Sequence, residues 1–171
     1  SMTWPWRSAP TERAAARRTE RLEKLIAEIG PDATAVTCDV TSDESVAALA
    51  ETVAALGAPV TLLVNNAGGA RGADQVADGV IGDWQWMYEV NVLALIDLTQ
   101  RVLPGMLERK RGHIINVASV ASFVATPPLT VYSSTKFAVQ GFTDGLRREL
   151  LGRGVAVTSI NPGPVATRFF A

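Results

Sequence analysis

The chain has 171 residues, 47% hydrophobic and 19% charged, which is enough for one domain that buries a core and too apolar for a disordered or collagen-like chain. With 16 basic and 17 acidic side chains the formal net charge is -1, so no broad attraction to nucleic acid or anionic lipid is expected. One cysteine, Cys38, and one histidine, His113, exclude an internal disulfide and a Cys/His metal cluster, and they point to a reducing, cytoplasmic setting.

Residues 1–13 read as a flexible arm, and Trp4-Pro5-Trp6 lies in no continuous apolar run of the kind a secretory signal needs. Leu22, Leu25, Ile26 and Ile29 then recur at helical spacing before the stop pair Gly30-Pro31. Ala33 to Val40 is a short run with β-branched residues. Thr41 opens the next helix, with Glu44 three residues on as in a capping box, and Val46, Leu49, Val53 and Leu56 form its apolar stripe up to Gly57. Val60 to Val64 is continuous rather than alternating, as in a parallel strand covered on both faces.

A long helix is expected from about Asp83 to Lys110, bent or broken near Pro104. Its apolar stretch Val90 to Ile96 is interrupted by Asn91 and falls short of the roughly 18 to 20 residues that span a bilayer, so no membrane span is expected. Trp84, Trp86 and Tyr88 lie in this helix and read as cover for a core or a helix pair. Ile114 to Val117, a helix from about Thr130 to Leu151, and Val155 to Ile160 complete the pattern. Repeated strand, helix, strand units imply a single α/β domain over residues 1–171, a doubly wound, Rossmann-like parallel sheet.

In such sheets ligands bind beyond the carboxyl ends of the strands. Those ends carry Cys38-Asp39-Val40, Asn65-Asn66-Ala67-Gly68, Val117-Ala118-Ser119 and Asn161-Pro162-Gly163. Tyr132 and Lys136 stand four apart near a helix start, hence on one face. A phenol titrates near 10, and lowering it by about three units takes roughly 4 kcal/mol, which a neighbouring ammonium can help supply. Ser119, at a strand end, is placed to hydrogen-bond the oxygen that Tyr132 would protonate. Asn91 interrupts an apolar stretch, where an amide needs a partner. His113, at the start of a strand, reads as structural.

These residues, in this order, resemble the short-chain dehydrogenases/reductases over most of the chain, from Ala16 to about Thr167. The resemblance rests on Asn65-Asn66-Ala67-Gly68, Asn91, Ser119, Tyr132-Ser133-Ser134-Thr135-Lys136 and Pro162-Gly163-Pro164-Val165-Ala166-Thr167. It implies that the chain interconverts an alcohol and a carbonyl, with the hydride carried by a nicotinamide. Tyr132 would be the acid/base, Ser119 would hold the substrate oxygen, Lys136 would lower the Tyr132 pKa and bind the nicotinamide ribose, and Asn91 would retain a relay water. Asp39 and Val40 would lie at the adenine, Asn66, Ala67 and Gly68 at the adenosine ribose, and Pro162, Gly163, Val165 and Thr167 at the nicotinamide side. Arg17 and Arg18 stand where an acidic residue would receive the ribose 2′-hydroxyl of NAD, so NADP(H) is favoured over NAD(H). By the same analogy the chain would form a homodimer or homotetramer through its long helices, and its partner would be a small alcohol or carbonyl. Phe123, Val124, Pro127, Pro128 and Leu129 would form a partly apolar wall.

Two parts of the family pattern have no match here. The glycine-rich turn Thr-Gly-x-x-x-Gly-x-Gly is absent, so the first strand, first helix and second strand are expected to be missing, as are the segments beyond Thr167. The strand Ala33 to Val40 would then lack its neighbour, each unpaired buried backbone group costing about 1 to 3 kcal/mol, with an arm too polar and alanine-rich to substitute. The sequence is therefore expected to be part of a longer natural chain. Were it complete, the alternative is an inactive remnant or partner-binding module without dinucleotide affinity.

Overall fold

The computed structural model describes residues 12–55 and 57–164. The chain divides into two compact units, residues 1–52 and 53–171. Leu56, Trp4 and Trp6, Val165 and Thr167 lie outside the described residues.

In the first unit, strand β1 (Glu12–Ala16) pairs in parallel with β2 (Ala33–Thr37), Glu12 opposite Ala33 and Ala16 opposite Thr37. The crossover is helix α1 (Thr19–Ile29), closed at Gly30, where φ is 114° and the amide bonds the Ile26 carbonyl at 2.9 Å. The expected gap beside Ala33 to Val40 is thus filled from within the chain: Glu12 and Arg13, assigned to a flexible arm, open a paired strand. Alanine has weak β propensity, and pairing overrides it here. The second strand is shorter than its apolar run, since Asp39 turns the chain: its carboxylate accepts the Thr41 amide at 3.0 Å and the Thr41 hydroxyl at 2.7 Å. Thr41 is therefore engaged and does not cap. Helix α2 (Asp43–Ala55) starts two residues later, and Ser42 accepts the Ser45 amide at 3.2 Å in the capping role.

In the second unit, β3 (Leu62–Asn65), β4 (Gly112–Val117) and β5 (Val155–Ile160) form a parallel sheet with β4 central. Leu62 is opposite His113, and Gly112 opposite Val155. Helix α4 (Ala94–Glu108) and helix α5 (Thr130–Glu149) pack on this sheet. One core cluster joins Met106, Ile114, Leu146, Leu150, Val155 and Val157; another joins Val92, Leu95, Ala118 and Val139. Between them runs a buried polar ladder. Asn65 donates to Thr99 (3.1 Å) and to the amide oxygen of Asn116 (2.9 Å), its register partner, and Asn116 donates to Thr143 (2.9 Å). The architecture is the expected parallel-sheet, Rossmann-like α/β fold.

The helix expected to bend at Pro104 departs from regularity elsewhere. Helix α3 (Ile81–Tyr88) passes through a π-helical turn, Glu89–Leu93, into α4, which runs unbroken through Pro104. Proline there deletes one amide bond to an exposed residue, Gln100, whose carbonyl water can serve. The wide turn instead surrounds Asn91, which is 1% exposed. By length and composition alone the 28-residue run Ile81–Glu108 could cross a membrane, which the sequence argument did not anticipate. Its apolar residues Val92, Leu95 and Met106 are spent in the two core clusters. His113 bonds Thr158 of β5 at 2.8 Å, a structural contact.

Candidate active site

Because β3, β4 and β5 are parallel, the segments that leave their carboxyl ends gather at one edge of the sheet. After β3 come Asn66, Ala67 and Gly68; after β4, Ala118 and Ser119; after β5, Asn161, Pro162 and Gly163. Backbone bonds tie the last two together, Ala118 N–H to the Ile160 carbonyl (2.8 Å) and Val120 N–H to the Pro162 carbonyl (3.0 Å).

Ser119 is held as the cap of a short 3₁₀ turn, Val120–Ser122. Its oxygen accepts the Ala121 amide at 3.1 Å, and Ser122 returns the bond by accepting the Ser119 amide at 3.3 Å. With its oxygen engaged this way, the Ser119 hydroxyl proton is left to donate, and a hydrogen bond joins Ser119 to the Tyr132 phenol. Tyr132 is buried at the start of α5, where burial pushes its pKa above the usual tyrosine value and the Ser119 bond opposes that rise. Lys136, one turn on and 4% exposed, is pushed down to about 8 by burial. Its ammonium lies 5.8 Å from the Tyr132 ring centre and donates to the Val117 carbonyl at 3.1 Å. Among the protein's own groups, burial and Ser119 rather than Lys136 set the phenol.

Asn91 closes the site from the π turn. Its amide brackets Gly69, accepting that residue's N–H at 2.8 Å and donating to its carbonyl at 2.9 Å, and donates its other hydrogen to Thr135 at 3.0 Å. Both amide hydrogens are therefore spent on the protein itself, which limits the side chain's share in holding a water. Gly68 is the point of close approach: a Cβ there would stand 3.1 Å from the Asn91 oxygen and 3.5 Å from the Lys136 nitrogen. A side chain at this position would crowd both groups, and glycine lets the loop pass close to Asn91 and Lys136.

In the first unit, Arg17 and Arg18 follow β1, with Arg18 capping α1 without a side-chain bond and lining an open depression with Thr19, Glu20 and Arg21. Two guanidinium groups at a helix start suit an anion such as a sugar phosphate. Asp39 is held below the usual carboxylate range by the Thr41 amide and hydroxyl, with a smaller contribution from Arg17, and Val40 follows it. Sequence reasoning gave no role to Thr135, Gly69, Thr99, Asn116 or Thr143. Thr135 and Thr143 could have been found on the α5 stripe that also carries Tyr132, Lys136, Val139 and Leu146. The loop after Gly68 holds another unforeseen contact, the Arg71 guanidinium 3.8 Å above the centre of the Trp86 ring. The wall Phe123 to Leu129 is largely solvent-exposed.

The sequence matches the short chain dehydrogenase family over residues 9–171, and the chain belongs to that family. It is 40% identical to serine 3-dehydrogenase of Rhizobium radiobacter over 158 residues, covering 90% of this chain and 61% of that protein. It is 38% identical to the NADP-dependent 3-hydroxy acid dehydrogenase of Salmonella typhi, covering 92% of this chain and 64% of that protein. Among solved structures it is similar to the closed form of serine dehydrogenase complexed with NADP+, with a TM-score of 0.84 and 37% identity over 88% of this chain and 61% of that one. The chain thus spans about three fifths of the length of these curated relatives.

Proposed function

We propose that the chain carries the catalytic face of an NADP(H)-dependent oxidoreductase that interconverts a small hydroxy acid and its keto form. The observation that carries this reading is the junction of the Ser119–Tyr132 hydrogen bond with Lys136 and Asn91 at the carboxyl ends of β3 and β4. The nicotinamide, when bound, supplies or accepts the hydride. In reduction Tyr132 gives its proton to the substrate oxygen while the Ser119 hydroxyl holds that oxygen; in oxidation the phenolate takes the hydroxyl proton back. Lys136, protonated below about pH 8, would exchange its bond to the Val117 carbonyl for bonds to the nicotinamide ribose hydroxyls. Asn66, Ala67 and Gly68 would line the adenosine ribose, and Pro162, Gly163, Val165 and Thr167 would take the nicotinamide side. Arg17 and Arg18 receive the 2′-phosphate, and Asp39 and Val40 lie by the adenine.

The hydroxy-acid class is supported by the names of the two relatives and by Arg71, which forms no ion pair among the described residues and offers a guanidinium to a carboxylate. A cytoplasmic setting and a homodimer or homotetramer belong to the same reading, supported by the single buried Cys38 and by the family pattern. Titration of NADPH followed by its fluorescence, then turnover of keto acids followed at the NADPH absorbance, tests it. A saturable signal with turnover that Tyr132→Phe abolishes is expected, the variant still binding NADPH. No saturable change in the wild type, or full turnover in Tyr132→Phe, would reject the reading.

A further inference from the structure

Thr135 touches no reacting atom in the reading above, yet it ties Asn91 to the backbone of the residue that carries the phenol. It is fully buried in α5 between Tyr132 and Lys136. Its hydroxyl donates its one hydrogen to the Tyr132 carbonyl at 2.7 Å and accepts an N–H of Asn91 at 3.0 Å. Gly69 decides which end of the Asn91 amide is which, because its N–H can meet only the amide oxygen and its carbonyl only the amide nitrogen. With that orientation set, the second hydrogen of Asn91 points at Thr135, and the hydroxyl is committed in both directions.

We propose that Thr135 is a positioning residue for the Asn91, Tyr132 and Lys136 set: its hydroxyl locks the π turn and the Gly68–Gly69 backbone to the first turns of α5. The inference rests on the function proposed above and adds a residue to it. The spacing at Gly68 leaves little slack, since that residue lies against both the Asn91 oxygen and the Lys136 ammonium. A valine at 135 keeps the volume but offers no acceptor, so the Asn91 amide must turn or shift, taking Gly69 and the loop of Gly68 with it. Small displacements of reacting groups lower the rate of the chemical step more than they weaken binding.

The test compares Thr135→Val, Thr135→Ala and Thr135→Ser in the whole protein, with kcat and KM for a keto acid and for NADPH scaled to the folded fraction seen by circular dichroism. Expected is a fall in kcat of about tenfold or more in the valine and alanine variants, with KM values within about threefold of wild type, and near-complete recovery in the serine variant. A purely structural role would lower the melting temperature and leave kcat per folded molecule intact. Wild-type kcat in folded Val or Ala variants overturns the proposal, as does a serine variant as slow as they are. Failure of both Val and Ala to fold would also overturn it, by assigning the hydroxyl to stability alone. A silent Thr135→Val beside a dead Tyr132→Phe sinks the positioning role only, whereas an active Tyr132→Phe sinks the acid/base reading itself.

Discussion

Lys136 concentrates the conflict between stability and chemistry at the level of single side chains. Its ammonium is nearly excluded from water, and the drop from the ordinary 10.5 to about 8 corresponds to about 3 kcal/mol disfavouring the charged form in the fold. The sign is that of a base whose folded pKa is depressed: the folded state sheds its proton first, so stability from this group rises as pH climbs from about 8 to 10.5, while below 8 the full cost is present. Lys136→Met is therefore expected to melt higher than wild type at pH 7 while losing turnover, and the gap should narrow at pH 9.5, as differential scanning calorimetry at the two pH values would show. A lysine variant that melts lower at pH 7 contradicts this. Arg71 offers a second test at the same scale: Arg71→Met should reduce kcat/KM for a hydroxy acid about tenfold or more while leaving that for its methyl ester nearly unchanged. Tyr132 and Lys136 were legible because four-residue spacing is a local property of a helix. Thr135 was not, because its partner Asn91 lies 44 residues away and only the folded chain brings them together.

Among the elements, the polar ladder through the second unit is the feature most sensitive to a single atom. Thr143 accepts from Asn116 and donates to the Val139 carbonyl at 2.7 Å, all three groups being buried. Thr143→Val strands an Asn116 N–H and is expected to cost about 1 to 3 kcal/mol in urea unfolding, with Thr143→Ser restoring most of it. An unchanged unfolding midpoint in the valine variant would mean that the ladder contributes nothing. Helices α1, α2 and α5 and the strands β4 and β5 could be read from apolar spacing and from Gly30 and Gly57. The strand Glu12–Ala16 could not, because alanines pair there for lack of any local signal, drawn in by Ala33–Thr37. Nor could the π turn: Pro104 is the louder helix breaker in sequence, yet helix α4 absorbs it one turn after the exposed Gln100. The Ser42 cap was hidden for a similar reason, since Thr41 fits the capping pattern equally well until Asp39 claims it.

For the molecule as a whole, ligand linkage is the sharpest expectation. A dinucleotide that binds only the folded chain stabilises it by about 2.7 kcal/mol at a concentration a hundred times its Kd. NADP+ is expected to raise the melting temperature more than NAD+ at equal concentration, and replacing both Arg17 and Arg18 by serine should erase the difference. Equal shifts from the two dinucleotides in the wild type would remove these arginines from cofactor choice.

The widened helical turn at Glu89–Leu93 behaves like one surplus residue accommodated in a continuous rod. Deleting one of those five positions would return the rod to a regular helix with Met87, Leu95 and Thr99 still on their present faces. What it would remove is the widening that seats Asn91, so a chain one residue shorter there should still fold while the Asn91 bonds to Gly69 and Thr135 are broken.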